Sequence, residues 1–94
     1  MAGQRPSEVE ITVDKVVEDL RVFFSQALTG NVPGPDEDYF AQGLVNSLLA
    51  LELVAHVEWR FGVSVEVEDL DLDNFRTMNR IAEFVRKKRS VPLP

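Results

Sequence analysis

Apolar positions recur every three or four residues in three separate stretches of the chain, the rhythm of helices that each bury one face. In the first stretch Val13, Val16, Val17, Leu20, Phe23, Phe24, Ala27 and Leu28 share that face. Thr12 stands where an N-cap belongs, with Lys15 at the position where a capping box would hold Glu. Gly30 is expected to end this first helix.

The second stretch, Gly43 to Gly62, organises the rest. Asn46 is a strong N-cap, because its side-chain oxygen can accept from the free amides of a first turn; Ser47 then falls at the first helical position and Gly62 supplies the stop. On a helical wheel Ala50, Leu53, Val54, Val57 and Phe61 gather in one sector. Leu48, Leu51, Ala55 and Trp59 form a second apolar stripe, bounded by Leu49, Glu52, His56 and Arg60. One core stripe suffices for a bundle, so the second must meet a neighbouring helix or an outside partner.

Between these stretches Asn31-Val32-Pro33-Gly34-Pro35 breaks any helix, and the connection from Gly30 to Val45 is longer than the usual few residues. A long loop needs anchors, which Phe40, Leu44 and Val45 can supply, while Gly43 would permit a tight approach to Ser47. After Gly62, Val63, Val65 and Val67 alternate with polar residues like a strand, yet no second strand exists to pair with them. An extended connector into a short helix near Glu68 to Leu72 fits better. Thr77 then caps a last helix burying Met78, Ile81, Ala82, Phe84 and Val85. Arg86, Lys87, Lys88 and Arg89 suit its negative end, and Pro92 and Pro94 stop continuation. The pattern predicts an all-α fold: a small four-helix bundle over residues 11–89, with a long first loop, a short third helix, a mobile tail at 1–10 and a C-terminal tail at 90–94.

Composition narrows the function. Ninety-four residues make one domain with room for a helical core but not for a deep enclosed pocket. The absence of cysteine excludes disulfides and thiolate chemistry on the protein itself. Sixteen acidic against ten basic residues give a net charge of −6, which disfavours nucleic acid and anionic membrane and favours partners with basic surfaces. No stretch approaches the roughly 20 apolar residues of a membrane span. A cytoplasmic monomer is expected.

Candidate chemistry centres on Ser47. A serine hydrolase needs a base beside its nucleophile, and His56 is the only histidine. On one helix the two would lie about 13 Å apart along the axis and on opposite faces, so they form no dyad, and His56 is expected to be solvated or to face a partner. Asp69, Asp71 and Asp73 have the alternation of a calcium loop but lack its glycine and closing glutamate. The acidic residues Glu37, Asp38, Glu52, Glu58, Glu66, Glu68 and these aspartates read by default as solvated surface.

At Asn46-Ser47-Leu48 the chain resembles the acyl carrier protein family, which usually has Asp-Ser-Leu there. The resemblance runs from about Val13 to Arg86, through Asp38-Tyr39-Phe40, Glu58 to Gly62 and Glu68 to Phe84; Phe40 matches a position where the family tucks an aromatic residue into its bundle. It implies a 4′-phosphopantetheine arm on Ser47, carrying an acyl thioester, on a protein that catalyses nothing. Val45-Asn46-Ser47-Leu48 and Asp71 to Thr77 look most like stand-alone carriers of glycerate-derived, malonyl-type (methoxymalonyl-type) extender units in polyketide and antibiotic biosynthesis. Implied partners are a phosphopantetheinyl transferase, acyl-loading and tailoring enzymes, and an acyltransferase or ketosynthase. Docking is expected through Asn46, Leu48, Leu49, Leu51, Glu52, Ala55, Trp59, Glu66 and Glu68, the three glutamates flanking the Ser47 end. Asn46 keeps the cap of the usual aspartate and drops its charge, which should alter transferase preference without abolishing loading. Two alternatives stand beside this: a peptidyl or aminoacyl carrier loaded by an adenylating enzyme, and an unmodified helical interaction module.

Overall fold

The computed structural model describes residues 12–90, in which four helices form an all-α bundle. They are α1 (Val13–Ala27), α2 (Ser47–Phe61), α3 (Leu72–Phe75) and α4 (Met78–Ser90), with a single 3-10 turn at Val67–Asp69. Residues 1–11 and 91–94, which include the expected N-terminal tail, Pro92 and Pro94, lie outside the described residues.

Local capping chemistry sets the helix starts. Thr12 Oγ1 accepts from the Lys15 amide at 3.2 Å, Asn46 Oδ1 from the Leu49 amide at 2.9 Å and Thr77 Oγ1 from the Arg80 amide at 3.0 Å. Each satisfies one donor that the first turn leaves open. Gly62 ends α2 at φ 66°, the left-handed conformation that a side chain disfavours.

Packing then assembles the core. Val16, Leu20 and Phe24 of α1 meet Leu53, Val57 and Phe61 of α2 and Met78, Ile81, Ala82, Phe84 and Val85 of α4, all buried. Phe75 of α3 joins them, as do Tyr39 and Val45 from the long loop. The helices α1 and α4 run closest together, and α3 rests on α4.

Four local expectations are corrected. The first helix ends at Ala27: the Leu28 amide still donates to the Phe24 carbonyl, but Leu28 is extended and half-buried against the core, and Gly30 is not in the left-handed region. The principal aromatic anchor of the long loop is Tyr39, fully buried, while Phe40 is half-buried beside it. Gly43 serves the backbone, at φ 75°; a Cβ there would meet nothing within 4 Å, so close approach is not its reason. The short helix expected at Glu68 to Leu72 is displaced in both directions. The Glu66 amide donates to Asp69 Oδ2, which winds the 3-10 turn, and Asp71 Oδ1 accepts from the Asp73 amide, which starts α3 later.

Candidate functional site

Ser47 opens α2 on the exposed surface, and among the described residues its hydroxyl has no hydrogen-bond partner. Asn46 takes the Leu49 amide on its side chain and the Ala50 amide on its carbonyl, leaving the amides of Ser47 and Leu48 to solvent. The positive pole of α2 therefore surrounds a free alcohol, an arrangement that favours a negative group attached there.

The loop before Ser47 is pinned onto the α3–α4 junction. Tyr39 donates its hydroxyl to the Phe75 carbonyl and its amide to the Arg76 carbonyl. The Asn79 amide donates to the Pro35 carbonyl at 3.0 Å, and its side chain donates to Asp36 Oδ1 at 2.6 Å. Asp38 Oδ1 accepts from the Phe40 and Ala41 amides. Burial pushes the Tyr39 phenol well above its usual range, with the neighbouring Asp38 carboxylate adding to the effect. These bonds hold the chain so that Val45, buried, delivers Asn46 and Ser47 to the surface.

Among the described residues the second apolar stripe of α2 meets no neighbouring helix. Leu48 is 66% exposed, Leu51 69% and Trp59 83%, with Ala55 and Glu52 exposed between them. Leu49 differs from its expected companions, being half-buried against the core. Glu66 and Glu68 are exposed, but not at the Ser47 end. Glu58 Oε2 accepts from the Val65 amide and Lys88 Nζ donates to Asp69 Oδ2, so the segment between them runs beside the last turns of α2 and α4. Of the three glutamates expected near the serine, Glu52 alone lies within two turns of it along the helix.

His56 is half-buried and is engaged within the bundle rather than free in solvent. Its Nε2 lies 2.7 Å from Asp19 Oδ2 on α1, and its ring lies against Phe23 with centroids 4.7 Å apart. Arg60 Nε donates to Asp19 Oδ1, also at 2.7 Å, so one carboxylate ties two turns of α2 to α1. The side chain of Glu58 likewise has a structural use, closing the connector after Gly62. Among the described residues no group of three His, Asp or Glu is placed to hold a metal ion.

An open cleft of about 300 Å³ separates α2 from α3, lined by Phe40, Ala50, Leu53, Val54, Leu70, Asp71, Leu72 and Phe75. Its walls are apolar apart from Asp71, and Ala50 lies one turn beyond Ser47. The sequence pattern placed Ala50, Leu53 and Val54 in the core sector of α2 and gave no sign of a cleft beside them. Nothing in the sequence pattern paired Asp19 with His56 or Tyr39 with Phe75.

Residues 18–85 match the family described as phosphopantetheine attachment site. The chain is 30% identical over 76 residues to the D-alanyl carrier protein of Streptococcus sanguinis strain SK36, spanning 81% of this chain and 92% of that one. It is 36% identical over 55 residues to the D-alanyl carrier protein of Streptococcus thermophilus strain LMD-9, spanning 58% and 70%. With the D-alanyl carrier protein of Bacillus velezensis strain FZB42 it shares 38% over 47 residues, spanning 50% and 60%. No solved structure matches the chain at a significant level. The relatives named here are not carriers of polyketide extender units.

Proposed function

The chain belongs to the phosphopantetheine-binding carrier family, a non-catalytic one whose prosthetic group is 4′-phosphopantetheine, and from that premise we propose that Ser47 bears the arm and that its cargo is an aminoacyl group. The supporting observation for the site is the exposed, unpartnered Ser47 hydroxyl at the positive end of α2. When bound, the arm supplies a thiol on which cargo is held as a thioester. The hydroxyl has no base beside it, since His56 is engaged by Asp19, so esterification is the work of a phosphopantetheinyl transferase.

The aminoacyl reading is supported by the D-alanyl carrier proteins among the relatives, and it implies loading by an adenylating enzyme. A second reading, a malonyl-type extender unit for polyketide synthesis, keeps the support of Val45-Asn46-Ser47-Leu48 and Asp71 to Thr77 and would bring tailoring enzymes and an acyltransferase or ketosynthase as partners. In either case tethering raises the local concentration of cargo at each active site. Leu48, Leu51, Ala55 and Trp59, with Glu52 beside them, offer the docking face, and weak, charge-guided association suits a carrier that must also leave. Among the described residues no helix is long and apolar enough to cross a membrane, and a cytoplasmic place remains part of this proposal.

Intact mass after incubation with coenzyme A and a broad-specificity transferase tests the site. Addition of one phosphopantetheine to the wild type and none to Ser47→Ala is expected; a wild type that stays bare would return the chain to an unmodified interaction module. Mass of the loaded form isolated from producing cells then separates aminoacyl from malonyl-type cargo.

A further inference from the structure

Resting on the reading that Ser47 carries an aminoacyl arm, we infer that Asp71, at the rim of the cleft between α2 and α3, selects that cargo by holding its ammonium group while the cleft seats the rest. Ser47, Ala50 and Val54 stand at positions i, i+3 and i+7 of α2, so the serine shares one face of the helix with two residues of the cleft wall. Ala50 lies only about 4.5 Å beyond Ser47 along the axis. At about 300 Å³ the cleft is at the small end of ligand pockets, with room for a short acyl head. An arm rooted at Ser47 therefore starts at the edge of a space that is apolar apart from Asp71.

That one carboxylate gives the space its sign. Asp71 is exposed between Leu70 and Leu72, themselves 58% and 49% exposed, and all three line the cleft. Its Oδ1 accepts from the Asp73 amide at 2.9 Å, and among the described residues Oδ2 has no hydrogen-bond or ion-pair partner. Two cations that could neutralise it are engaged elsewhere, Arg76 by Asp38 and Asp73 and Lys88 by Asp69. An aminoacyl head can place its ammonium on Asp71 while its side chain covers the two leucines. A malonyl head brings a free carboxylate to the same rim and is repelled. The cleft thus separates two cargo classes by charge, which the attachment point at Ser47 does not.

Coenzyme A analogues that carry alanyl, propionyl or malonyl through a stable amide, transferred to the wild type and to Asp71→Asn by a broad-specificity transferase, test this. Asparagine is an equally good N-cap, so the substitution removes the charge and keeps the start of α3. At neutral pH the Val54, Leu70 and Leu72 methyl resonances of the alanyl form are expected to move from their places in the holo form. The propionyl form, which lacks only the amine, should move them about two- to fivefold less, and the malonyl form should leave them in place. In Asp71→Asn the alanyl shifts should fall to the propionyl level. Equal alanyl and propionyl shifts, alanyl shifts unchanged by Asp71→Asn, or malonyl shifts as large as alanyl ones would overturn the inference while leaving Ser47 as the attachment point. A wild type that accepts no phosphopantetheine from these donors or from coenzyme A itself, or a malonyl-type mass in the form isolated from producing cells, would instead overturn the reading on which it rests.

Discussion

Tyr39 donates its hydroxyl to the backbone carbonyl of Phe75, joining the long loop before Ser47 to the short helix α3 in the interior of the bundle. Tyr39→Phe strands that carbonyl without its donor, and a loss of about 1–3 kcal/mol in urea unfolding is expected. Tyr39 is the only tyrosine, so absorbance titration reads this phenol alone. Its proton is held in the folded state well above the ordinary value of 10.0. The unfolded chain therefore sheds the proton first as pH rises, and the stability that Tyr39 contributes is complete below pH 10.0 and declines above it. Phenolate should appear only with unfolding; a phenolate signal at the ordinary midpoint in folded protein would contradict the burial of this group.

Trp59 is the only tryptophan and is almost wholly solvated. Its fluorescence should be that of a water-exposed indole and should shift little on unfolding. Trp59→Ala is expected to change stability by less than about 0.5 kcal/mol and to weaken the carrier's association with its loading enzyme by about tenfold. Equal kinetics for the two proteins, measured below saturation, would remove Trp59 from the docking face.

Glycine substitutions separate backbone need from sequence convenience. Gly43→Ala and Gly62→Ala each force a side chain into the left-handed region and are expected to cost about 1–2 kcal/mol in urea unfolding. Gly30→Ala, outside that region and with open space around it, should stay within about 0.5 kcal/mol of the wild type.

The pair Lys88 and Asp69 adds an acid-side dependence. The hydrogen bond from Lys88, aided by that from the Glu66 amide, holds the Asp69 carboxyl below its usual 3.8, and the Lys88 ammonium is correspondingly favoured. The contribution of Asp69 is thus present above the ordinary carboxylate value and lost as pH falls below it. Asp69→Asn should flatten the acid limb of stability against pH, with unfolding midpoints measured from neutral to strongly acid solution. An unchanged limb would remove this pair from the account of acid unfolding.

What was legible in the sequence is what local chemistry decides. Caps at Thr12, Asn46 and Thr77, the stop at Gly62 and the apolar faces of α1, α2 and α4 are each set within one or two turns of chain. The outward stripe of α2 was legible too, because a second apolar face remains visible on a wheel whatever surrounds it. Partnerships across the fold were not. Asp19 meets His56 and Arg60 only when α1 and α2 lie side by side, and a lone histidine at a polar boundary carries no mark of that. Glu66 and Glu68 look close to Ser47 while the connector is imagined short; the Val65 amide on Glu58 and Lys88 on Asp69 carry it toward the far end of α2. Tyr39 and Phe40 are adjacent aromatics, and the hydroxyl that lets Tyr39 bond the Phe75 carbonyl inside the bundle has its partner 36 residues away.

Arg89 Nη1 donates to the Phe61 carbonyl at 2.7 Å, so a residue of the last turn of α4 clasps the exit of the very helix whose entrance presents the serine. Without Arg89 the Phe61 carbonyl would lose that donor. A linker to a fluorophore, a surface or another protein must accordingly leave Arg89 in place, or the last turn of the serine-bearing helix loses one of its ties to α4.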